Sequence, residues 1–115
     1  MQQSGQNSEH YIRKFEDAAA EDHVLAMNKL GSIFYQEKKD YNSAVEWFRK
    51  ASDKGCPRAL NNLGMCYELG HGVANVDTDQ AFRMYKESAE KGYLEGMFNL
   101  GQLCYRTARH TRSQD

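Results

Sequence analysis

Proline, paired cysteines, long apolar runs and an excess of either charge are all scarce in this 115-residue chain. Each scarcity closes off a class of answers. The single proline, Pro57, leaves almost the whole chain free to be helical. Cys56, Cys66 and Cys104 are odd in number and include no Cys-x-x-Cys pair, so neither a disulfide framework nor a tetrahedral zinc site is expected. They read as small buried hydrophobes. His10, His23, His71 and His110 are scattered one per connection or terminus, which is not ligand spacing, so no metal and no cofactor is expected. With 15 Lys and Arg against 16 Asp and Glu the formal net charge is −1, and no basic field points to nucleic acid or to an anionic membrane. Arg106, Arg109, His110 and Arg112 make only a small positive segment without stacking aromatics. No apolar run approaches the roughly 18 residues of a membrane span. The opening Met-Gln-Gln-Ser-Gly-Gln-Asn-Ser lacks the charged and apolar regions of a signal peptide, so the expected compartment is the cytoplasm or the nucleus.

What the chain does have is a repeat. Ala26-Met-Asn-Lys-Leu30-Gly31, Ala59-Leu-Asn-Asn-Leu63-Gly64 and Gly96-Met-Phe-Asn-Leu100-Gly101 are versions of one phrase, spaced by 33 and then 37 residues. A second phrase runs from Ala44-Val-Glu-Trp-Phe48 to Lys54-Gly55 and again from Ala81-Phe-Arg-Met-Tyr85 to Lys91-Gly92, each alanine 11 residues before its glycine. A fixed period of this length is the signature of a solenoid in which each repeat is a helix pair.

Taken in order, residues 1–8 are polar and without period and are expected to be disordered. Tyr11, Phe15, Ala18 and Ala19 lie on one helical face, and Phe15 falls on Phe48 in the repeat, so residues 9–22 form the second half of a unit. A full unit follows over 24–55, its second helix capped by Asp40 and stopped at Gly55. Pro57 suits the first turn of the next helix, in a unit over 57–92. Four extra residues between Gly70 and Asp77 account for the longer second period, and Asp77 with Gln80 resembles a capping box. Residues 94–106 open a further unit that 107–115, a polar tail expected to be disordered, does not complete. Half a unit at either end points to a fragment, a splice form or a domain cut from a longer array. The uncapped ends are expected to pair, giving a homodimer.

The glycines of the Leu-Gly pairs supply close approach between helices, with Gly31 and Gly64 expected to face Ala44 and Ala81. Aromatic residues Phe34, Tyr67, Phe48 and Tyr85 then fill the space between pairs. Replacing Gly64 with leucine is expected to cost about 1–3 kcal/mol through overpacking.

Leu63-Gly64-Met-Cys-Tyr67-Glu-Leu-Gly70-His-Gly72-Val73, followed by Ala81, Tyr85, Ala89 and Gly92, resembles the Sel-one-like repeat (SLR) family, a tetratricopeptide-repeat-like group. The first unit, with its short turn and no Gly-x-Gly, is similar to a tetratricopeptide repeat. The resemblance covers roughly residues 9 to 106. It implies an all-α fold, an α/α superhelical solenoid of about six helices here. It also implies a non-catalytic adaptor or scaffold that holds a protein or peptide partner on a concave surface lined by the first helix of each unit.

By analogy with tetratricopeptide domains, the binding positions lie two and five residues either side of the Leu of each Leu-Gly pair. They select Leu25, Asn28, Ser32 and Tyr35, then Arg58, Asn61, Met65 and Glu68, then Glu95, Phe98, Gln102 and Tyr105. Amides, one arginine and aromatics suit capture of an extended or helical peptide. Without a cluster of Lys and Arg among them, a carboxylate clamp is not expected. Nor does any nucleophile sit beside a base in the sequence: acids such as Glu87 and Glu90 neighbour basic residues on outward faces, and His71 lies alone in a glycine-flanked turn. The alternative to a free-standing adaptor is a regulatory or docking segment of a larger enzyme, for example a kinase or ubiquitin-pathway protein, whose catalytic domain is elsewhere.

Overall fold

The computed structural model describes the backbone of residues 2–114 and the side chains of residues 9–109. Six helices follow one another with no strand among the described residues: α1 (Gln2–Ala20), α2 (Val24–Gln36), α3 (Tyr41–Asp53), α4 (Pro57–Leu69), α5 (Thr78–Glu90) and α6 (Leu94–Gln114). Within a unit α2 packs on α3 and α4 on α5; between units α1 packs on α2, α3 on α4 and α5 on α6. The resulting all-α solenoid measures 53 × 30 × 23 Å.

Its regularity is set at the helix ends. The Asp40 carboxylate accepts a bond from the Ser43 N–H at 3.2 Å, and Asp77 accepts one from Gln80 at 3.1 Å, so both second helices begin on an aspartate cap. In each full unit the backbone N–H of that aspartate reaches back to the preceding first helix, Asp40 to the Phe34 carbonyl at 2.9 Å and Asp77 to Tyr67 at 2.8 Å. The four extra residues of the second turn are thus looped out inside a clasp of the same kind as the first unit's. Because the Asp77 N–H is taken by Tyr67, Gln80 serves as donor to the cap and does not complete the reciprocal box expected of it. Between units the chain reverses in the same way three times: His23, Cys56 and Tyr93 donate backbone bonds to Ala18, Ala51 and Ser88 at 3.1, 3.1 and 3.2 Å. The residue before each lies in the left-handed region, Gly55 and Gly92 at φ 85° and 88°, and Asp22, a non-glycine, at 66°.

The core is a continuous row of three clusters, one around Met27, Leu30 and Ala51, one around Phe48, Leu63 and Cys66, and one around Ala81, Tyr85 and Leu103. Here one sequence expectation is corrected. Gly31 and Gly64 seat aromatic rings rather than Ala44 and Ala81: a Cβ on Gly31 would lie 2.5 Å from Phe48 Cδ1 and Cε1, and one on Gly64 would lie 2.8 Å from Tyr85 Cδ1 and Cε1. The second helices therefore cross their first helices with the ring, not the small residue, lying over the glycine. Gly101, at the same place on α6, has nothing within 4 Å of such a Cβ.

The ends also differ from expectation. Along residues 2–8 and 107–114, where disorder was expected, the backbone continues α1 and α6. Lack of an apolar period does not by itself argue against helix, because once a helix has a packed nucleus each further residue adds cheaply. At the start of that extension the Thr107 hydroxyl donates to the Leu103 carbonyl at 2.8 Å. Met1 and Asp115 lie outside the described residues.

Candidate protein-binding surface

First helices α2, α4 and α6 are joined by side-chain amides. The Asn62 Nδ2 donates to Asn28 Oδ1 at 3.0 Å, and the Asn99 Nδ2 donates to Asn61 Oδ1 at 2.9 Å. Each bond runs from the residue just before the Leu-Gly pair of one unit to the residue two before the Leu in the unit preceding it. Asn28 and Asn61, expected among the partner-binding positions, are buried and already bonded in this ladder, so they lie beneath the surface they were assigned to. Asn62 and Asn99, the two donors of this ladder, are the residues that reasoning from single positions missed; the repeated Asn-Leu-Gly of the second and third units was the available signal.

At the far end of α4, Glu68 is also committed. One carboxylate oxygen accepts the Tyr85 hydroxyl at 2.6 Å, and the other is held by the Arg106 guanidinium, so α4, α5 and α6 meet on one acid. Burial first, and then this acid, push the Tyr85 hydroxyl well above its ordinary pKa. In the first unit the Tyr35 hydroxyl lies 2.5 Å from His71 Nδ1, and the His71 ring stacks on Tyr41 at 4.3 Å with the planes 4° apart. The looped-out turn thereby reaches back to the preceding unit. Gly72 makes this possible, for at φ 76° a Cβ there would sit 2.3 Å from the Tyr41 carbonyl oxygen. Tyr35 is pushed up too, by burial ahead of the nearby Cys66 and Tyr41.

The remaining positions stay available. Ser32 and Met65 are half-buried, whereas Leu25, Arg58, Glu95, Phe98, Gln102 and Tyr105 are exposed. Arg58 lies over the Tyr93 ring at 5.9 Å, and the Tyr93 hydroxyl is raised by burial and then by Glu95, which ties these residues together at the α4–α6 junction. In helical register Arg58, Met65, Glu95 and Gln102 flank the asparagine ladder on one stripe. What this surface offers is hydrogen bonding and apolar contact. Beneath it, burial pushes the Cys66 thiol up to about 12, so it stays protonated. Cys56 and Cys66 are the small core residues expected, but Cys104 is exposed, because among the described residues no second helix covers that side of α6. Among the described residues no group of three or more His, Cys, Asp or Glu is placed to hold a metal ion, and no helix is long and apolar enough to cross a membrane.

Comparison with known proteins agrees with this architecture. A structure of a protective antigen of uropathogenic Escherichia coli, displaying an SLR fold, superposes with a TM-score of 0.78 at 33% identity, over 84% of this chain and 21% of that one. A Sel1 repeat protein from Oxalobacter formigenes gives a TM-score of 0.72 at 31% identity, over 80% of this chain and 40% of that one. An uncharacterized protein of Neisseria meningitidis is 35% identical over 64% of this chain and 16% of its own length. The ERAD-associated E3 ubiquitin-protein ligase component HRD3A of Arabidopsis thaliana is 41% identical over 41% of this chain and 8% of its own length. This chain thus spans less than a fifth of either of these two relatives. The model of the Sel1 repeat matches residues 24–56, 57–93 and 94–109, and the chain belongs to the Sel1 repeat family.

Proposed function

We propose that the chain is a protein-interaction module that presents the stripe of its first helices to a peptide or a folded partner. Sel1 repeat proteins generally mediate protein–protein interaction. The observation that carries the proposal to these residues is the asparagine ladder: by fixing α2, α4 and α6 side by side it consumes Asn28 and Asn61 and leaves Ser32, Arg58, Met65, Glu95 and Gln102 as a prepared polar and apolar surface. Preorganisation of this kind reduces the ordering cost of binding.

The test is selection of peptides from a displayed library on the immobilised chain, followed by calorimetric titration of the best binder. Arg58→Glu and Met65→Glu on α4, with circular dichroism showing an intact fold, should each weaken binding by about tenfold or more. A binder indifferent to both substitutions would remove the stripe from consideration. A second reading, a docking segment within a larger enzyme system, is supported by the short share of each relative that the chain spans and by one relative being a ubiquitin-ligase component. Under that reading the same stripe holds a neighbouring domain, and the same two substitutions report on it.

A further inference from the structure

Successive second helices flank a first helix twice, α1 and α3 on either side of α2, then α3 and α5 on either side of α4, and the repeat sets the same positions around both places. In the first, Trp47 of α3 takes up the room. Its side chain packs on the cluster that includes Ala19 of α1 with Met27 and Leu30 of α2, and the Lys50 Nζ lies 4.5 Å from the ring centre. In the second, position for position, Met84 stands for Trp47, Ser52 for Ala19 and Glu87 for Lys50. The narrower side chain leaves a groove of about 360 Å³, floored by Leu63 and Tyr67 and walled by Ser52 and Met84. A groove of that size takes a large side chain or a small ligand.

Ser52 is a second departure. Its hydroxyl oxygen is buried and has no hydrogen-bond partner among the described residues. Buried hydroxyls are ordinarily bonded, so the α3 wall holds an unmet polar group where Ala19, and Ala89 one unit later, carry a methyl.

We infer that this groove receives a tryptophan side chain from a partner protein, with its indole N–H donating to Ser52 Oγ after a turn about χ1. The chain supplies the template, since the same frame already holds an indole one unit earlier. An indole brings one donor on a large apolar ring, which matches one unpaired hydroxyl in an apolar groove; phenylalanine brings no donor. Met84 suits the contact, because a flexible thioether adapts to an aromatic ring. At the rim two acids, Asp53 and Glu87, stand against Arg49, whose guanidinium lies 6.0 Å from the centre of the Tyr67 ring. A lysine or arginine beside the tryptophan therefore complements the rim. This site is built on the second helices and does not depend on the stripe of the first helices.

Calorimetric titration with a capped peptide carrying Lys-Trp between glycines, and with its phenylalanine and leucine counterparts, tests the inference. The tryptophan peptide should bind with a dissociation constant on the order of 0.1 mM, about threefold or more tighter than the phenylalanine peptide and about tenfold tighter than the leucine one. Ser52→Ala should remove the preference for tryptophan over phenylalanine and leave the phenylalanine peptide unchanged. Met84→Trp should fill the groove from within, abolishing binding and raising the urea midpoint. In amide NMR spectra the peptide should shift Ser52, Tyr67 and Met84. No binding at about 2 mM, equal affinity for the leucine peptide, or a tryptophan preference that survives Ser52→Ala would overturn the assignment. So would a lowered urea midpoint in Met84→Trp, binding that persists in it, or shifts centred on Met65 and Gln102, which would move the peptide to the first-helix stripe.

Discussion

Three glycines in one repeat position offer an internal experiment. Glycine to alanine inside a helix is favourable by about 1 kcal/mol from propensity alone. Against this stands the cost of inserting a methyl group where there is no room, about 1–3 kcal/mol. Gly101 has the room, so Gly101→Ala should stabilise the monomer by about 0.5–1 kcal/mol, a few degrees in a domain of this size. Gly31 has none: the new methyl would lie 2.5 Å from two Phe48 ring carbons, and that ring is only 1% exposed and cannot retreat. Gly31→Ala should therefore lose about 1–2 kcal/mol net. At Gly64 the approach is a wider 2.8 Å, so although Tyr85 is fastened through its hydroxyl to Glu68 the loss should be smaller, about 0–1 kcal/mol, with none of the gain expected at Gly101. Urea unfolding followed by circular dichroism, at a dilution where the chain is monomeric, measures all three. Equal stabilisation by all three alanines would refute the ring-on-glycine packing.

Other consequences follow from the caps, the ladder and the buried acids. Asn61→Ala strands the Asn99 amide and should cost about 1–2 kcal/mol in urea unfolding, with a coupling of about 0.5–1.5 kcal/mol to Asn99→Ala in a double-mutant cycle. Lys39 holds φ 56° in the first unit's turn, and Lys39→Gly should raise stability by about 0.5 kcal/mol, read as a small rise in the urea midpoint. Tyr35, Tyr85, Tyr93 and Cys66 are all raised in the folded chain, so above their unfolded values the folded state binds more protons than the unfolded one. These four groups should accordingly add no pH dependence below the ordinary thiol value of 9.0 and lower stability as pH rises beyond it, with the Cys66 share lost between there and about 12; Cys66→Val should flatten that part of a urea-midpoint profile against pH.

Those features that depend on neighbours in the chain were legible in the sequence. Asp40 and Asp77 cap because each sits three residues before a backbone N–H that needs an acceptor, and Gly55 and Gly92 end their helices because the chain must turn left-handed there. Pairings across units were not legible to the same degree. The period of 33 residues identifies Asn28 with Asn61, and that of 37 identifies Phe48 with Tyr85, but neither gives the angle at which helices cross. That angle decides whether Gly31 meets Ala44 or Phe48, and whether an asparagine faces solvent or the next first helix. Disorder expected at the polar termini differs from the structure for a related reason: an apolar period reports burial and not backbone conformation, and the backbone of α1 and α6 runs on as helix through those residues.

The candidate surface follows the same division. Residues that obey the repeat are spent on stacking, as Asn28, Asn61 and Glu68 show. Surface available to another molecule is then found where the repeat is broken or where its positions remain unpartnered. The second turn is one break, and His71 uses it to bind the preceding unit through Tyr35 and Tyr41. Phe98 is another: in the slot that holds a buried, bonded asparagine twice before, an aromatic ring stands in solvent. Large exposed rings cost solubility unless something covers them, and at 64% exposed Phe98 puts that cost on α6 where the two preceding first helices avoid it with an amide.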